Sequence, residues 1–176
     1  MNRLITGAII TVIIGGTAYT ISQADVVKHF AADTGLTQEQ AEEYVSSVSD
    51  DDLVPYDEVG SEYIADGQEI LDSASEIDCV NYEYEWESAS LTCYTGKIQI
   101  SKIGRDEVAL GQAYKKLDSE SASRDDISKT IELIDIFNSD FDLRIVRNIF
   151  TQSEIDEIKK TNSFNKAMLQ AALEGD

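Results

Sequence analysis

The chain has 176 residues, room for one domain plus a short appendage. Apolar residues make up 42% and charged residues 27%, which excludes a disordered chain. Its 34 acids against 14 bases give a formal charge of −20, and this excludes a phosphate-binding surface, because nucleic-acid affinity comes mostly from Lys and Arg displacing counterions.

Residues 4–21 form an apolar run of 18 residues behind Arg3, broken only by Thr and Gly. Two readings apply to residues 1–24. One is a signal peptide, with Ser22-Gln23-Ala24 as a small-x-small cleavage site. The other is a signal-anchor helix, since 18 residues span ~27 Å, close to one bilayer core. Both expect an N-terminal apolar helix with its basic end in the cytoplasm, and residues 25–176 exported as a single domain.

Val26, Val27 and Phe30 then predict a helix stopped at Gly35. Thr37 with Gln40 has the spacing of a capping box, opening a helix that runs to about Ser49. Asp50, Asp51 and Asp52 break it, and Pro55 suits the first turn of the next. Val59, Tyr63, Ile70 and Ala74 recur on one face of that helix, although Gly60 and Gly67 weaken it by up to ~1 kcal/mol each. From Ile77 the period changes to two. Val80, Tyr82, Tyr84 and Trp86 alternate with Asn81, Glu83 and Glu85, and residues 91–95 and 97–103 read as further strands ended at Gly104.

Helical spacing returns with Ala109, Leu110, Ala113, Tyr114 and Leu117. Ser123 caps a helix carrying Ile127, Ile131, Ile134 and Phe137. Thr151 with Glu154 is a second capping box, with Phe150 and Ile155 placed for a hydrophobic staple, and a bend is expected near Asn162-Ser163. The fold expected is α+β: a small antiparallel β-sheet at about residues 77–103, packed against several α-helices and preceded by the apolar N-terminal helix.

Cys79 and Cys93 are the only cysteines, and an even count in an exported chain predicts a disulfide between them. In strands, that pair needs a turn centred on Trp86, whereas a turn at residues 87–90 places the two cysteines out of register. The charge is unevenly laid out. Residues 29–96 contain 18 Asp and Glu and no Lys or Arg, while residues 97–176 hold 12 bases against 15 acids. A solvated face is the ordinary reading of such a run. The functional reading is a surface for a basic partner, with Asp50, Asp51, Asp52, Asp57 and Glu58 as its densest patch.

Motifs for chemistry come close and fail. Residues 138–142 place oxygen ligands as a calcium loop begins, but Leu143 stands where the turn needs Gly and Ile149 where a bidentate Glu belongs. Calcium is the one cofactor with any ligands in the sequence, and no metal or cofactor is expected. There is no Gly-x-Ser-x-Gly elbow and no Gly-rich phosphate loop.

The function expected is that of a non-catalytic, extracytoplasmic interaction protein, in the periplasm, a lumen or at the cell surface. It is tethered or released, its acidic surface docks a basic protein, and it serves as an accessory, assembly or inhibitory component of an envelope complex. The alternatives are a divalent-cation-dependent structural surface protein and a small secreted hydrolase. Nucleic acid is not expected as a partner, and the membrane is one through the N-terminal segment if that stays uncleaved.

Overall fold

The computed structural model of the chain describes residues 9–48, 54–80, 87–143, 146 and 150–175. Its order is β1 (Ile9–Ile14), β2 (Thr17–Ser22), α1 (Gln23–Thr34), α2 (Gln38–Ser47), α3 (Tyr56–Glu76), α4 (Glu87–Leu117), α5 (Arg124–Asp140) and α6 (Gln152–Glu174). The class is α+β, as expected, but the sheet lies elsewhere. The two strands pair antiparallel in one hairpin at the N-terminal end, with Ile14 opposite Thr17 and Ile9 opposite Ser22.

Residues 9–22, expected to be part of an apolar helix, form this hairpin instead. Gly15 and Gly16 have φ of 59° and 71°, the paired left-handed conformation that a two-residue hairpin turn demands. Side chains then alternate. Val12 and Ile14 are buried while Ile13 is exposed, and Ile21 on the second strand is 1% exposed. The turn is also fastened, because the Gly15 N–H donates to the Leu117 carbonyl at the end of α4, 2.7 Å away. Among the described residues, no helix is long and apolar enough to cross a membrane.

Helix ends follow their local signals. The Gly35 cap is left-handed and returns its N–H to Ala31. Thr37 with Gln40 and Thr151 with Glu154 make both halves of their capping boxes, and Ser123 pairs in the same way with Asp126. Pro55 occupies the position just before α3. The last helix runs through Asn162 and Ser163 without interruption, and both are buried.

The strands expected at residues 91–103 are helix, part of the 31-residue α4. Residues 81–86, with Tyr82, Tyr84 and Trp86, lie outside the described residues. Half-buried Ile100 and buried Ile103, Glu107, Leu110, Tyr114 and Leu117 recur at intervals of three and four, so a continuous helix gathers them on one face where strands of period two would scatter them. The glycine read as a strand end serves packing. A Cβ on Gly104 would meet the Gly67 carbonyl oxygen at 2.7 Å, and one on Gly111 would meet that of Gly60 at 2.6 Å. Two glycines one heptad apart on each helix thus let α3 and α4 run antiparallel in backbone contact.

The Cys79–Cys93 disulfide joins the end of α3 to the start of α4, with the Cα atoms 5.7 Å apart. The register conflict disappears, because Cys93 is on a helix. Against this long hairpin packs α5, while α1 and α2 pack together and α6 covers α1 and α5. One core runs through all of these elements.

Candidate functional site

The α3–α4 hairpin and α6 do not close fully upon each other. Between them lies a cleft of about 1390 Å³. One face of α3 lines it from end to end, through Val59, Tyr63, Asp66, Ile70 and Ser73, the spacing of a helix presenting a single side. Ile103 and Glu107 come from α4, Phe137 from α5, Phe164 and Met168 from α6, and Val12 and Ile13 from the hairpin. The interior is therefore mainly aliphatic and aromatic.

Its charge has one sign. The described residues that line the cleft include Glu62, Asp66, Glu69, Glu107, Asp118 and Glu157, and no Lys, Arg or His. Five of these acids are exposed; Glu107 is 8% exposed. Its Oε2 atom has no hydrogen-bond partner. Burial, reinforced by the nearby Asp66 carboxylate, pushes its pKa up to about 7.

The wall beside it is held by polar contacts. The Tyr63 hydroxyl donates to Asn162 Oδ1, and Asn162 Nδ2 donates to Asn138 Oδ1 at 2.8 Å. Burial, with Glu107 as the next cause, raises the Tyr63 phenol well beyond its ordinary range, so it remains a donor. A second depression, about 600 Å³, mixes acids with Lys159 and Lys160 and has no single charge.

The residues singled out in the sequence fare unevenly. Cys79 and Cys93 are bonded. Asp50, Asp51 and Asp52 lie outside the described residues, although Val48 and Val54 on either side of them line the cleft. Asp57 is exposed and pairs with Lys115 Nζ at 2.9 Å, tying the start of α3 to α4, and Glu58 is exposed on the same turn. Neither is among the residues lining the cleft.

The calcium-like stretch is dispersed, since Asn138 turns to Asn162, Asp140 to Lys102 and Asp142 to Lys159. Among the described residues, no group of three or more His, Cys, Asp or Glu is placed to hold a metal ion. His29 faces Glu174, with Nε2 3.1 Å from Oε2. Sequence reasoning missed Glu107, for which one signal existed: it is a lone acid inside the apolar stripe of α4.

The fold and cleft together define a small helical α+β domain with an apolar, acid-rimmed groove. Comparison with protein families, with curated proteins and with solved structures finds no match to this chain.

Proposed function

We propose that this chain is an exported, non-catalytic interaction protein that docks a basic partner in its acid-rimmed cleft, as an accessory, assembly or inhibitory component of an envelope complex. The observation that carries this reading is the pairing of an apolar interior with six carboxylates and no base among the described lining residues. Such a groove attracts cations and then buries apolar surface.

Export is supported by the disulfide, a bond that persists in oxidising compartments, and by Arg3 ahead of the apolar run. In the folded domain residues 9–21 are the hairpin, and export through a signal peptide or anchor would require them in another setting, a membrane helix. Cleavage after Ala24 removes the hairpin, so the intact mass of the native protein, read with its fractionation, tells which setting it keeps.

The test of docking is capture from the native envelope at low and high salt, comparing the unaltered protein with Glu62→Gln/Asp66→Asn/Glu69→Gln. Expected is a basic partner, lost on raising salt and weakened by the triple variant. Capture insensitive to both salt and the variant would remove the cleft rim from the interface.

A further inference from the structure

Glu107 is incomplete as the fold leaves it. A carboxylate 8% exposed, with Oε2 unpartnered, is costly to keep charged without a cation. From α3, Asp66 and Tyr63 face it and supply no positive charge. Phe137 on α5 and Phe164, Asn165 and Met168 on α6 also line the cleft, and no base is among the described lining residues. Among the described lining residues none supplies a positive charge, so a cationic group that enters the cleft can serve as the counter-charge that keeps Glu107 ionised.

The shape of the cleft narrows what that is. Its volume of about 1390 Å³ exceeds the ~300–1,000 Å³ of sites for drug-sized ligands. Along α3 the lining extends from Tyr56 to Ala74, which at ~1.5 Å per residue is ~27 Å, or about five helical turns. An apolar floor between exposed acids matches a helix whose apolar stripe is flanked by Lys and Arg. A fatty acid or an anionic lipid would bring its negative head to five exposed carboxylates.

We propose that the cleft binds a basic amphipathic helix of a partner protein, and that one Lys or Arg of that helix reaches Glu107 and ionises it. This rests on the reading of the cleft as a docking surface, and deepens it by naming the partner's chemistry and its anchor. At about pH 6.5 much of the Glu107 carboxyl is protonated. An arriving ammonium or guanidinium group makes the carboxylate the favoured form, the Oε–H bond breaks, and the proton passes to the buffer.

The experiment is titration calorimetry of the full chain with a synthetic Leu/Lys amphipathic peptide of about 18 residues, ~27 Å as a helix. It is run at about pH 6.5 in two buffers of low and high ionisation enthalpy, whose difference counts protons released. Expected for the unaltered protein is release of a substantial fraction of one proton per peptide. Glu107→Gln should abolish the release and weaken binding roughly tenfold or more, a factor set by one charge-assisted hydrogen bond. A Leu/Gln peptide of the same spacing should bind weakly and release no proton.

Binding of the Leu/Lys peptide without proton release, and equally by Glu107→Gln, would overturn the anchor while leaving the rim as a docking surface. Equal binding of the neutral peptide would overturn the basic helix as occupant. No binding by the unaltered protein even at low salt would remove the docking reading itself. Proton release is measured on the unaltered chain, so it decides the question even if the variant folds poorly.

Discussion

Gly67 and Gly104 meet so closely across the two long helices that a Cβ on either would stand 2.7 Å from the other's carbonyl oxygen. In an exposed helix each glycine would cost up to ~1 kcal/mol against alanine, and here the close approach of α3 and α4 offsets that loss. Gly67→Ala should therefore destabilise the protein in spite of its better helix propensity. The expected loss is about 1–3 kcal/mol, the range for overpacking a contact whose neighbour is backbone and cannot step aside. Denaturant unfolding measures it, and a neutral or stabilising result would mean that the helices are further apart than this contact requires.

Ile21 separates the hairpin from a membrane or cleaved segment. It is 1% exposed within the core. Ile21→Ala should cost about 2–5 kcal/mol if the hairpin belongs to the mature domain. No change in the melting of the native protein would show that residues 9–22 are elsewhere.

The disulfide closes a loop of 13 intervening residues between the two helices. Cys79→Ser should lower stability by about 2–5 kcal/mol, the usual range for a small exported domain. Alkylation of unfolded, unreduced protein should label neither cysteine, and two labelled thiols would reject the bridge.

Glu107 gives stability a pH dependence whose sign is fixed by the direction of its shift. Burial and Asp66 raise its pKa from 4.5 to about 7, so between those values the folded chain holds a proton that the unfolded chain has lost. Stability falls as pH rises through that window and stays lowered above it. With screening at the cleft mouth allowed for, the loss is on the order of 2 kcal/mol. Asp126 and Glu154 act oppositely at lower pH, because hydrogen bonds from Ser123 and Thr151 hold them below the ordinary carboxylate range. Glu107→Gln should flatten the profile between about pH 4.5 and pH 7 and raise Tm at alkaline pH. Superimposable profiles would assign the slope to other groups.

Much of the helical frame was legible in short-range signals. A capping box needs only residues three apart, so Thr37 with Gln40 and Thr151 with Glu154 could be read without knowing what packs against them. The same holds for Gly35 and for the stripe of Ile127, Ile131, Ile134 and Phe137, of which Ile131 is half-buried and the other three are buried. The Gly15-Gly16 pair is an equally local signal. Its two left-handed conformations turn the apolar run into a hairpin, while length and hydropathy alone favoured a membrane helix.

Other features depend on a second segment, and local pattern alone does not decide them. Ile98 and Ile100 fit a period of two as well as Ile100 and Ile103 fit a helix, and only the face offered by α3 selects the helical choice. Gly60 and Gly67 read singly as helix weaknesses and Gly104 as a strand end, and with Gly111 they become a contact only when two helices bring them backbone to backbone. The acid excess was plain from composition, but composition spreads it over 68 residues. Tertiary structure gathers Glu62, Asp66 and Glu69 at the edge of an apolar cleft and buries Glu107 within it, because whether a carboxylate is solvated or desolvated depends on what folds over it.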